Sequence, residues 1–114
     1  MKVIIAGSRT VTNPLAIESA IQDSGFIITE VVSGGARGAD MLGEQWAKAN
    51  GIPVKVFPAD WNTHGKSAGA IRNGQMAKYA NALIAVCDGI TPGTQDMIRQ
   101  AKRCGLKVYI KETY

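Results

Sequence analysis

Ser33-Gly34-Gly35-Ala36-Arg37-Gly38-Ala39-Asp40 is the stretch that decides how this chain is read. An apolar run, Glu30-Val31-Val32, leads into it, and a helical pattern containing Leu42, Trp46 and Ala49 leads out. A glycine-rich turn between a strand and a helix is expected to point backbone N–H groups outward. It also places them at a helix N-terminus, where the peptide dipoles leave a partial positive charge. Arg37 adds a full charge. The combination suits a phosphate or another anion.

On either side the same strand–turn–helix alternation repeats. Apolar runs rich in Val and Ile at 2–6, 29–33, 53–57, 82–87 and 106–110 read as strands buried on both faces. Helical patterns at about 14–24, 39–50, 67–80 and 94–104 separate them. Asn13 is placed to cap the first helix, with Pro14 at its first position. Gly25, Gly51 and Gly105 each follow a helix, where a left-handed residue is wanted. In the second helix Ala39, Leu42, Trp46 and Ala49 form the expected inward stripe, and Glu44 and Lys48 can pair outside. In the last helix Met97, Ile98, Ala101 and Cys104 are expected inside, and Arg99, Lys102 and Arg103 form a solvated basic face. This pattern predicts the α/β class: a single three-layer Rossmann-like domain over residues 1–114, with a five-stranded, mainly parallel sheet and right-handed crossovers.

The chain has 114 residues, 46% of them hydrophobic, enough for one core and too few for two domains. Its net charge of +4 is a mild bias toward anionic partners, well short of a nucleic-acid tail. The two cysteines, Cys87 and Cys104, form no CxxC motif and have no histidine cluster nearby, which argues against zinc and against a disulfide scaffold. No apolar run approaches the roughly 20 residues of a membrane span, and Gly7-Ser8-Arg9 ends the first apolar run too early for a signal peptide. A soluble, cytoplasmic protein is expected.

In an open parallel sheet, ligands sit beyond the C-terminal strand ends at a switch in strand order. Four loops then matter: 7–13, 33–39, 58–66 and 88–93. In the first, Gly7 permits a tight turn, Ser8 and Thr10 can donate to an anion, and Arg9 can fork onto phosphate. In the second, Gly35 and Gly38 match the last two glycines of a dinucleotide fingerprint, with Ser33 in place of the first. Asp60 follows 22 positions after Gly38, where a ribose-binding acid would fall, and Asp40 is suited to bond backbone or Arg37. In the third, Gly65-Lys66-Ser67 resembles the end of a P-loop, but residue 60 is Asp where that motif needs glycine, so a Walker A site is rejected. His64 stands without a visible nucleophile or second ligand. Trp61 can either stack on a base or fill the gap between strand and helix. Arg72 can reach the strand ends. Asn73, on the sheet-facing side of its helix with Met76 and Ala77, must find a partner, either a loop backbone or the ligand. The fourth loop, Asp88 to Thr94, is a second glycine–hydroxyl turn entering a helix, and Asp88 is expected close to the ligand.

Gly7-Ser8-Arg9, Ser33 to Asp40, Pro58-Ala59-Asp60-Trp61, Gly65-Lys66, Ala68-Gly69, Arg72-Asn73, Met76, Gly93-Thr94 and Met97-Ile98 together resemble the SLOG superfamily, within it the YspA-like branch related to YpsA. The resemblance runs the length of the chain. It implies a Rossmann-like domain that binds nucleotides or nucleotide-derived ligands, often as a sensor and often in phage–host conflict. The related LOG enzymes hydrolyse the N-glycosidic bond of nucleoside monophosphates through a PGGxGTxxE motif. Here Gly93-Thr94 matches the GT pair, but Met97 stands where the glutamate belongs and Asp96 is one position early, about 100° away on a helix. The related Smf/DprA group binds single-stranded DNA, and this chain offers little aromatic platform beyond Trp61.

The expected ligand-binding set is Gly7, Ser8, Arg9, Gly34, Gly35, Arg37, Gly38, Asp40, Asp60, Arg72, Asn73, Gly93 and Thr94. The expected partner is a nucleotide-derived small molecule, with N-glycosidic hydrolysis and single-strand binding as alternatives and self-association left open. No catalytic residue, metal or resident cofactor is assigned.

Overall fold

A computed structural model describes residues 1–89 and 91–113. Ile90, in the fourth loop, and Tyr114 lie outside the described residues. The order is β1 (Lys2–Gly7), α1 (Pro14–Ser24), β2 (Glu30–Ser33), α2 (Ala39–Ala49), β3 (Val54–Val56), α3 (Trp61–His64), a 3-10 turn (Gly65–Ser67), α4 (Ala68–Tyr79), β4 (Ala82–Cys87), α5 (Pro92–Arg103) and β5 (Lys107–Glu112). The strands lie in the order β3-β2-β1-β4-β5, and every neighbouring pair is parallel. The expected five-stranded parallel sheet is thus present, and it is parallel throughout.

Strand periodicity divides the core into two layers. Val3 and Ile5 of β1, Val31 of β2 and Ile84 and Val86 of β4 pack against Ile17 and Ala20 of α1 and Ala39 and Ala47 of α2. Ile4, Val32, Leu83 and Ala85 point the other way, onto Met76 and Ala77 of α4 and Met97 and Ala101 of α5. All six residues of β4 are buried, as are Val3 to Ala6 of β1, because helices cover both faces of these central strands. The edge strands β3 and β5 are partly exposed, so the expectation of strands buried on both faces fails at the edges.

Local signals account for the helix ends. Asn13 accepts from Leu15 N at 3.0 Å ahead of Pro14. Gly25, Gly51 and Gly105 take φ of 70°, 68° and 78°, the left-handed values expected after a helix. Thr91 caps α5, which starts at Pro92, two residues before the expected boundary. β5 likewise runs to Glu112, past the expected end.

Three details of the helix faces depart from expectation. In α2 the buried residues are Ala39, Asp40, Gly43 and Ala47, while Ala49 is exposed. The face is rotated because Gly43 lies directly on Ile5: a Cβ there would come within 2.7 Å of the isoleucine side chain. Glu44 turns toward the sheet end and accepts from Ser33 Oγ at 2.6 Å instead of pairing with Lys48. Cys104 is exposed at the C-terminal cap of α5, beyond the reach of the core.

Candidate functional site

The first loop closes on the fourth. At Gly7, φ is 153° and a Cβ would sit 1.8 Å from the carbonyl oxygen of Val86. Ser8 N donates to that same oxygen at 3.0 Å. Asp88 N donates to the buried Ser8 Oγ at 2.8 Å, and Thr10 Oγ1 donates to Asp88 Oδ2 at 3.2 Å. The strand order reverses between β1 and β4, where a ligand crevice is expected. Here these contacts stitch the two strand ends together, and Ser8, Thr10 and Asp88 are taken up in doing so.

Open space lies to the side, over the ends of β1, β2 and β3. It is a cleft of about 460 Å³ lined by Arg9, Gly34, Gly35, Ala36, Arg37, Val56, Pro58, Ala59, Trp61 and Arg72. That volume falls within the range of small-molecule sites, about 300–1,000 Å³. Among the described residues no carboxylate pairs with Arg9 or Arg37.

The glycine turn forms one wall, and two of its amides turn back onto buried side chains of their own segment. Gly35 N donates to Ser33 Oγ at 3.0 Å, and Ala36 N donates to Asp40 Oδ2 at 3.4 Å. The Gly34 amide also supports the Asp40 carboxylate. Of the outward N–H groups expected of this turn, those of Gly35 and Ala36 are therefore taken up by two side chains of its own segment. Charge reaches the cleft through guanidinium groups instead.

Asp40 is only 6% exposed behind the turn. Burial pushes its carboxyl up from 3.8 to about 6, against the pull of the Ala36 and Gly34 amides and the Arg72 guanidinium, with Glu44 adding to the rise. Arg72 ties α4 to the glycine turn. Its Nη1 donates to Gly34 O at 2.7 Å and its Nε to Asn73 Oδ1 at 3.1 Å. Asn73 in turn donates to Asp96 Oδ2 at 3.0 Å and to Gly93 O at 3.4 Å. Asn73 thus meets the expectation of a buried amide tying down a loop backbone. Burial alone would raise the Asp96 carboxyl. The hydrogen bonds from Asn73, Gln100 and Arg99 outweigh that and hold it below its usual value. As expected, Asp96 faces these partners and not the cleft.

Of the expected set, Arg9, Gly34, Gly35, Arg37 and Arg72 share the cleft. Gly7 and Ser8 seal the β1–β4 junction. At Gly38, φ is 77° and a Cβ would lie 2.3 Å from Ser8 O, so this glycine lets the start of α2 rest on the first loop. Asp40 and Asn73 lie behind the wall. Gly93 and Thr94 sit on the first turn of α5, where Thr94 N donates to Thr91 Oγ1 at 3.4 Å. The second helix N-terminus therefore does not line the cleft. Asp60 caps α3, accepting from Thr63 N at 3.1 Å, and that bond holds its carboxyl below the usual range. Ala36, Pro58 and Ala59 also line the cleft, known from the sequence only as parts of the family pattern, and Val56 lines it without any sequence signal. Val56 reads as strand interior and faces the cleft only because β3 is short and at the edge. His64 is exposed at the end of α3. Among the described residues no cluster of His, Cys, Asp or Glu could hold a metal, and no helix is long and apolar enough to cross a membrane.

Comparison with known proteins gives a family and a fold. A family model described as YspA, cpYpsA-related SLOG family matches residues 1–64, which carry the first two loops and most of the third. The Gene 61 protein of Mycobacterium phage D29 is 37% identical over 119 residues, covering 94% of this chain and 93% of that protein. Among solved structures, DNA processing protein A (DprA) from Streptococcus pneumoniae superposes on 96% of this chain with a TM-score of 0.75 at 18% identity. The chain spans about half of that protein, 49% of its length, and the likeness is one of fold.

Proposed function

Because this chain belongs to the YspA, cpYpsA-related SLOG family, we propose that residues 1–114 act as one domain that binds a phosphate-bearing nucleotide or nucleotide-derived ligand, as a cytoplasmic sensor or sequestering module. The observation that carries this reading is the gathering of Arg9, Arg37 and Arg72 around one open cleft that also holds an exposed indole. Guanidinium groups recognise phosphate through paired hydrogen bonds, a role open to Arg9 and Arg37, while Arg72, with Nη1 and Nε already engaged, adds its charge to the same cleft.

A thermal-shift screen with AMP, ADP-ribose, NAD and cyclic nucleotides tests it. A ligand at a hundred times its Kd should stabilise the fold by about 2.7 kcal/mol. Stabilisation by single-stranded oligonucleotides alone would overturn the reading in favour of nucleic-acid binding, the alternative prompted by the fold shared with DNA processing protein A. Titration of variants locates the ligand. Arg37→Ala should weaken binding by about 1.5–3 kcal/mol, roughly ten-fold or more, through loss of a charge-assisted contact. Arg103→Ala, at the exposed end of α5, should leave it unchanged. Equal losses would place the ligand outside the cleft.

Hydrolysis of the LOG type is disfavoured by the same geometry. Met97 is buried in the α5 core layer, and Asp96 is engaged by Asn73, Gln100 and Arg99. General acid–base catalysis needs a carboxylate within hydrogen-bond reach of the scissile bond. Incubation with AMP or ADP-ribose should therefore release no free base or ribose phosphate above background by chromatography. Release that disappears in Asp60→Asn or Asp88→Asn would show the domain to be an enzyme.

A further inference from the structure

We propose that the indole of Trp61 is the platform on which the base of a nucleoside monophosphate stacks, its phosphate directed to Arg9, Arg37 and Arg72. This deepens the function proposed above and rests on it.

Trp61 is 55% exposed, unusual for so large an apolar ring. Gap filling between strand and helix does not account for it, because a filler would be covered. Among the described residues no aromatic ring stacks on it and no cation lies over it. The turn that carries it is nevertheless tied down. Asp60 caps the turn that carries it, His64 N donates to Asp60 O at 3.0 Å, and Gly65 N donates back to Trp61 O. The ring lies beside Gly69 of α4, where an added Cβ would be 3.6 Å from Cη2. A flat π-surface thus stands on a hydrogen-bonded turn at the wall of the cleft.

The cleft is mixed in its chemistry. Val56, Pro58, Ala59 and Trp61 give it apolar surface, with Val56 lying against the glycine turn at Gly35, and the three arginines and that turn give it polar groups. Inorganic phosphate or a phosphosugar would satisfy the guanidinium groups and leave the indole in water. A base joined to a phosphate through a ribose meets both kinds of surface at once. Stacking also tolerates any base, since every base has a π-face.

Calorimetric titration of the wild type, Trp61→Ala and Trp61→Phe with AMP and with ribose 5-phosphate tests the assignment. The wild type should bind AMP about ten-fold or more tightly than ribose 5-phosphate. Trp61→Ala should erase that preference and leave ribose 5-phosphate affinity unchanged, which also shows that the variant is folded. Trp61→Phe should keep most of the preference, and AMP should quench the tryptophan fluorescence of the wild type. Equal affinity for the two compounds, or a preference that survives in Trp61→Ala, overturns base stacking and leaves the proposed function standing. A wild type that binds neither compound overturns base stacking of a nucleoside monophosphate, and the proposed function then falls only if ADP-ribose, NAD and cyclic nucleotides also fail to stabilise the protein.

Discussion

Gly38→Val should give no folded protein to assay. A Cβ at residue 38 would lie 2.3 Å from Ser8 O and 2.6 Å from both C and Cα of Arg9. All three are backbone atoms, so no rotamer change relieves the clash. The φ of 77° adds strain for a β-branched residue. Relief would require α2 to lift from the β1 loop, breaking the Ala39 N to Ser8 O bond of 3.2 Å. A cost above about 4 kcal/mol is expected, a large share of the stability of a domain this size. Circular dichroism and urea unfolding check it. Gly25→Ala is the control: its φ is 70°, but nothing lies within 4 Å of the added carbon. That variant should fold and lose only about 1–2 kcal/mol. A Gly38→Val protein that melts like the Gly25→Ala protein would mean the contact is soft.

Asp40→Asn should change how stability depends on pH. In the folded protein the Asp40 carboxyl is raised from 3.8 to about 6, chiefly by burial. The folded state therefore holds this proton more tightly than the unfolded state. No ionisation penalty exists below pH 3.8. The penalty grows as pH rises through 6 and is constant above it. A shift of this size corresponds to about 3 kcal/mol. Asparagine carries no such charge and can still accept from Ala36 N. Relative to the wild type, Asp40→Asn should gain about 2–3 kcal/mol between pH 4 and pH 8 in chemical denaturation. A stability difference that stays flat across that range would show Asp40 to be ionised throughout. The buried charge also offsets part of the positive potential of Arg72, so anions in the cleft should bind more tightly as pH falls through 6.

The fold was legible because a parallel sheet buried on both faces leaves uninterrupted apolar strands, and because Asn13, Gly25, Gly51 and Gly105 mark helix ends by conformational necessity. The loops at the strand ends were legible for the same reason, and Arg9, Arg37 and Arg72 do meet there. Three things were hidden. α3 is four residues long and polar, too short to show a period, so Asp60 looked like a ribose ligand when its carboxylate caps a turn. The direction of the turn amides depends on which nearby side chain captures them, and Ser33 and Asp40 capture them from behind. The location of the cleft depends on how tightly β1 and β4 join. That is decided by the approach of Gly7 to Val86, a contact between residues far apart in sequence.

The same junction has a bearing on how the molecule forms. β1 lies at the centre of the sheet, with Val3 beside Ala82 and Gly7 beside Val86, so its second neighbour arrives only after most of the chain has been made. Pairings this distant are slow to close. On the ribosome, β2 can zip onto β1 and β3 onto β2 first, leaving Val3, Ile4 and Ile5 along a bare inner edge. Until residue 87 clears the exit tunnel, that edge is open to pairing with other nascent chains. Yield should then be governed by elongation speed and chaperone supply, and a ribosome stalled between β3 and β4 should release a species that aggregates.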